Sequence, residues 1–211
     1  MDAEQITLTI AAGVSIIMLL PVLGIWVNMF PELWASLFRT AACIRIEDSR
    51  KVQRNRDLIF WMTLPALLTI VWHFDLYAPE WMSGLAPYYR ILCTGGILAG
   101  YMLLRFMLVR LAPHRKLSTK TYEAASGSPR NFWLLLGFVL FFTTMTLSTL
   151  DVPETLFRIV TYCITGLLYL LFLIRRLQIF AYDCNYLTAI LYLCALEILP
   201  TALLVTSAVV F

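Results

Sequence analysis

The chain has 211 residues, 61% of them hydrophobic and only 14% charged, with a formal net charge of +3. A soluble domain is about half apolar and about a quarter charged, so too few charges remain here to cover a water-facing globule. The charges also sit between long apolar runs, the pattern of a polytopic membrane protein, and a bundle of transmembrane helices is the expected all-α fold over the single domain 1–211.

The first apolar run covers residues 6–30 and is uncharged, with Pro21 inside it. A helix crosses a bilayer with about 20 apolar residues, so this run is a full span. Its start is acidic (Asp2, Glu4) and lacks the basic region of a secretory signal, so it is expected to be retained. Beyond it, within residues 31–44, Leu33, Trp34, Leu37, Phe38, Ala41 and Ile44 recur at three- and four-residue steps. That spacing makes one apolar helix face. With Trp34 and Arg39 it predicts a helix lying on the inner membrane surface, or else a plain extension of the first span.

Five more spans are expected, at 58–74, 87–109, 132–150, 155–174 and 185–211, which makes six in all. The second is short and holds Pro65. It ends in Trp72, His73, Phe74, Asp75, Tyr77 and Trp81, the composition of an aromatic interfacial belt. The third carries Gly96-ILA-Gly100, a spacing that lets helices approach closely. Residues 112–130 are polar, end in turn-forming residues, and read as a mobile loop. The fourth span has an outer half rich in hydroxyls, Thr143-TMTLS-Thr149, which are expected to bond their own helix backbone.

Lys and Arg near span ends are retained on the cytoplasmic side. Fourteen of the 16 basic residues fall at the ends of spans one, three and five or in the segments after them, with only Arg90 and Arg158 on the other side beside Asp75, Glu80, Asp151 and Glu154. Six spans with both termini outside satisfy this bias in every loop. The basic run Arg50-KVQRN-Arg56 is accounted for by topology and by attraction to anionic lipid, and nothing further points to nucleic acid.

In the last span, one acidic residue interrupts the apolar run. Glu197 lies 12 residues from Asn185, roughly 18 Å along a helix and close to mid-membrane. An ionised carboxylate there costs on the order of 2.5–3.5 kcal/mol. It can be carried as the neutral acid, or it can face the bundle interior and find donors. Pro200 has no N–H, so the Leu196 carbonyl loses its helical partner one residue away. Cys194 and Thr201 share the face of Glu197, and Thr165 of span five reaches the same depth. Together they predict a small intramembrane polar notch, which is a lock between helices, a proton or ion relay, or a contact with a substrate or a partner subunit. Arg105, nearer the cytoplasm, and Arg158, at the outer interface, are the basic side chains in question as its partners.

No HExxH, GxSxG or P-loop spacing occurs, and the two histidines, His73 and His114, stand apart. The five cysteines, Cys43, Cys93, Cys163, Cys184 and Cys194, have no paired spacing and read as small apolar packers. No enzyme activity, cofactor or metal is expected.

The tail Leu191-YLCALEIL-Pro200, preceded by Ile174-RRLQI-Phe180, resembles the carboxyl-terminal signature of the domain of unknown function 4271 family. The close match covers about 25 to 30 residues. The resemblance implies a polytopic inner-membrane protein of Bacteroidota, brings no catalytic residues, and groups Cys194, Glu197 and Pro200 in one motif. The expected function is a non-catalytic inner-membrane subunit or scaffold. Its partners would be the lipid bilayer, envelope proteins or a second copy of the chain. The alternative is a small proton-coupled transporter or channel built around Glu197.

Overall fold

The computed structural model describes residues 3–77, 79–111, 119–150, 152–183 and 185–210. Among them every regular element is helical: α1 (Ala3–Phe38), α2 (Thr40–Asp48), α3 (Arg50–His73), a 3₁₀ turn (Glu80–Met82), α4 (Pro87–Leu111), α5 (Thr119–Thr149), α6 (Glu154–Asp183), α7 (Tyr186–Leu193), a π-helical segment (Cys194–Ile198) and α8 (Leu199–Val210). Helices are what long apolar runs must form in lipid, where every backbone N–H and C=O needs a partner from its own segment.

Among the described residues five helical stretches are long and apolar enough to cross a membrane: Gln5–Phe38, Pro87–Arg110, Gly127–Thr149, Glu154–Ala181 and Tyr186–Ala208. No more than 33% of any of their most apolar windows is buried inside the chain. Outward residues such as Ile17, Leu103, Leu167 and Leu187 are 66–73% exposed, which suits lipid and not water.

The expected count of six spans is therefore corrected to five. The exception is α3, whose first turns hold Arg50, Lys51, Arg54, Arg56 and Asp57 and whose uncharged run, 58–73, has only 16 residues. That falls short of the roughly 17–25 residues a span needs. It still packs among the other helices, against α1, α4 and α5.

Two further segments are decided. Of the two readings of residues 31–44, the extension of the first span holds as far as Phe38: α1 runs through Pro31, the chain turns at the extended Arg39, and a second helix, α2, begins at Thr40. Leu33 and Leu37 point into the bundle, where they join the same core as Ile46, while Trp34 and Phe38 stay exposed. The segment 112–130 is not a loop throughout, because α5 is already helical from Thr119 and carries Pro129 inside it, with Ser128 buried; residues 112–118 lie outside the described part.

The main core lies between α1, α3, α5 and α6, centred on Trp26, Leu33, Ile59, Leu134, Leu135 and Phe172. Trp26 meets Phe138 edge-on at 5.2 Å, and Phe30 stacks on the same ring at 4.3 Å. Close helix approach comes through Gly137 and Gly95. A Cβ on Gly137 would lie 3.1 Å from Thr63, and one on Gly95 would lie 3.3 Å from Leu68. Gly96 and Gly100, expected at such a contact, are exposed and would meet nothing within 4 Å. One residue turns a helix by about 100°, so the packed face passes through Gly95 and leaves Gly96 outside.

The bundle has two chemically distinct ends. At one, Arg130 of α5 forks onto Asp57 at 3.0 and 3.1 Å, and Arg56 reaches Asp57 at 3.2 Å and Asn131 at 3.5 Å. At the other, Asp75 accepts from Arg90 at 2.6 Å and lies 3.6 Å from Arg158, which also faces Glu154 at 3.7 Å. Asp75 has φ +48°, a left-handed conformation that Asp tolerates, at the turn after α3. Phe74 stacks on Phe157 at 3.7 Å beside it. Tyr77 bonds Ser207 at 2.8 Å, and Ser15 bonds Thr69 at 3.1 Å, so the start of α1 and the end of α8 both lie toward this second end.

Candidate functional site: a buried arginine–glutamate cluster

Pro200 shapes the local backbone from which Glu197 projects. Without an N–H it cannot bond the Leu196 carbonyl, and the preceding turn widens from α to π, with the Leu199 N–H bonding the Cys194 carbonyl five residues back. A hydroxyl meets the neighbouring carbonyl, that of Glu197. Tyr169 of α6 lies 3.2 Å from the Glu197 carbonyl and 3.0 Å from Thr201 Oγ1, sharing one proton between two acceptors. Tyr101 of α4 reaches the same Thr201 hydroxyl at 3.2 Å.

The Glu197 side chain has no exposed surface. Arg105 of α4 binds its Oε2 through Nη2, and Arg176 of α6 binds its Oε1 through Nη1. Guanidinium groups only donate, so both carboxylate oxygens face donors and neither has an acceptor for a carboxylic proton. The geometry is that of an ionised carboxylate facing the bundle interior. Both cations pack near Phe172, with Arg105 Cζ 5.4 Å and Arg176 Cζ 5.8 Å from its ring centre, and Arg176 is also 5.5 Å from that of Phe180. Such contacts stabilise a desolvated cation by about 0.5–2 kcal/mol.

Of the residues expected in the notch, Glu197, Thr201 and the buried Pro200 come together. Cys194 is exposed on the π segment and points away. Thr165 sits one turn before Tyr169 and, among the described residues, no hydrogen bond joins it to Glu197 or Thr201; Tyr169 takes that place. Arg158 is bound at the far end with Asp75. Arg105 does reach Glu197, rather than snorkelling away from it.

Arg176, Tyr169, Tyr101 and Phe172 were not expected as site residues. The signal lay in their spacing. Tyr101 and Arg105 are four apart, Tyr169, Phe172 and Arg176 fall at three- and four-residue steps, and Glu197 and Thr201 are four apart. Each set shares one helix face.

The hydroxyl-rich end of α5 behaves as expected. Thr144, Thr146 and Thr149 donate to the carbonyls of Leu140, Phe142 and Met145 at 2.7, 2.8 and 2.5 Å.

Over residues 7–207, almost the whole chain and not the tail alone, the sequence matches the family described as domain of unknown function (DUF4271). No curated protein and no solved structure matches it.

Proposed function

We propose, from the premise that the chain belongs to the DUF4271 family, that it is a non-catalytic, multi-pass subunit or scaffold of an envelope complex in a bacterial inner membrane. The observation that carries this reading is the state of Glu197. The carboxylate is fully buried and held at both oxygens by arginines from two other helices. A group so engaged ties α4, α6 and the α7–α8 rod together. A proton relay would need it to lose and regain those partners in each cycle.

The proposed orientation puts the end with Arg56 and Arg130 in the cytoplasm and the Asp75 end outside. Both termini then face outward, because α3, although its apolar run is short of a full span, still runs from the Arg56 end to the Asp75 end, and the start of α1 and the end of α8 lie toward the Asp75 end. The two basic residues that stand against the charge bias, Arg90 and Arg158, are both bound to Asp75. Their charges are thereby offset where they stand.

The test is affinity purification of the tagged chain in mild detergent, with mass spectrometry of what accompanies it. Near-stoichiometric envelope proteins, or a second copy of the chain, are the expected result. A lone monomer, together with a pH-dependent flux in vesicles that Glu197→Gln abolishes without unfolding, would replace this reading with a proton-coupled transporter.

A further inference from the structure

Arg105 and Arg176 bring two positive charges to the cluster, and Glu197 brings one negative charge. Both arginines are almost wholly buried, at 6% and 1% exposure. Among the described residues no second carboxylate reaches either of them. Asp57 is bound to Arg56 and Arg130, and Asp75 and Glu154 are at the far end with Arg90 and Arg158. The Nε–H groups of Arg105 and Arg176 are also buried with no acceptor among the described residues. A buried donor without an acceptor and a charge without a counter-ion are each unfavourable in a low-dielectric interior. The rings of Phe172 and Phe180 relieve part of this, but they carry no net charge.

The geometry points to a site for one further oxyanion, a phosphate or carboxylate group, bound by Arg105 and Arg176 beside Glu197. Guanidinium groups suit this chemistry, since their planar forks match the oxygens of phosphate and carboxylate. The approach is from the Arg105 side, because Arg105 retains the most exposed surface of the three. Arg105 lies six residues before the end of α4, about 9 Å along the helix, and Arg110 follows near that end. The same chemistry is offered by a free anion from the cytoplasm and by the headgroup of an anionic lipid. This inference is independent of the subunit reading, since a scaffold and a transporter could each hold such a group.

The purified full chain is titrated with inorganic phosphate in non-ionic detergent, with chloride as the control anion, and thermal unfolding and calorimetry are recorded. In parallel, nanodiscs of phosphatidylglycerol are compared with nanodiscs of phosphatidylcholine. The expected result is saturable stabilisation by phosphate, with Kd below about 1 mM, or a higher Tm in the anionic lipid alone. The first outcome assigns a soluble anion and the second a headgroup. Arg176→Gln removes the excess charge and should abolish the effect while sparing the surface arginines. Because that variant risks unfolding, Thr201→Glu is the companion. It places a built-in carboxylate one turn from Glu197, and should raise Tm without added anion and make phosphate or phosphatidylglycerol redundant. No phosphate binding and no lipid dependence in the wild type would overturn the proposal, as would an anion effect of equal size in either variant.

Discussion

Arg176 of α6 and Glu197 of the π segment meet with the carboxylate wholly shielded from solvent, although 21 positions separate them in the chain. Arg105 of α4 closes the other oxygen. Three helices therefore depend on one acid.

Removing that acid leaves two arginines buried without a partner. Glu197→Gln or Glu197→Leu is expected to lose on the order of 3–5 kcal/mol, read by denaturant or thermal unfolding in nanodiscs. Replacing the set together, as Arg105→Met, Arg176→Met and Glu197→Leu, should return stability to the wild-type level or up to about 4 kcal/mol above it. A Glu197→Gln protein as stable as wild type would remove the structural role.

Pro200→Ala should destabilise the protein even though alanine favours helices. The new N–H can bond the Leu196 carbonyl and draw the π segment back to α. That rotates Glu197 relative to Arg105 and Arg176. The expected signs are a lower Tm and a non-additive double-mutant cycle, in which Arg176→Gln costs less in the Pro200→Ala background than in the parent. Additive effects of the two substitutions would contradict this account.

Glycines separate by face. Gly137→Val must displace Thr63 and Leu67 and should cost about 1–3 kcal/mol. Gly96→Ala and Gly100→Ala should stay within about 0.5 kcal/mol in the isolated protein. Thermal unfolding of the three variants in one lipid decides it, and equal losses at Gly96 and Gly137 would place the packed face elsewhere.

Single-cysteine variants in a cysteine-free background test the orientation. Ser83→Cys, in the turn after the Glu80–Met82 segment, and Gln5→Cys, near the start of α1, should label from outside with a membrane-impermeant maleimide. Ser49→Cys, between α2 and α3, should label only after permeabilisation. Opposite labelling of Gln5 and Ser83 would separate two ends that the proposed orientation keeps together.

Hydrophobic length and charge asymmetry made the membrane helices readable directly, because both act along the chain. Glu197 was equally legible, since a carboxylate in an apolar run carries its own energetic demand. Its partners were less so. Arg176 sits in a cluster that topology alone explains, and nothing local says which face of α6 turns inward. The six-span count failed for a related reason. The apolar run of α3 is short, and its placement is set by neighbours, with Thr63 and Leu67 against Gly137 of α5 and Leu68 against Gly95 of α4. The same limit misplaced the glycine contact by one residue, which is enough to turn a side chain to the opposite environment.

The rims and the interior of the bundle should respond differently to dissolved electrolyte. Asp75, Arg90 and Arg158 are a quarter to two-fifths exposed, within reach of mobile ions whose Debye length is about 8 Å at physiological strength. The Asp57–Arg130 pair at the other end is more exposed still, whereas the Glu197 carboxylate is wholly buried. Screening therefore weakens the ties of α3 with α4 and α6 at one rim and with α5 at the other. Concentrated salt would fray both rims of the molecule while the clasp between them stays shut.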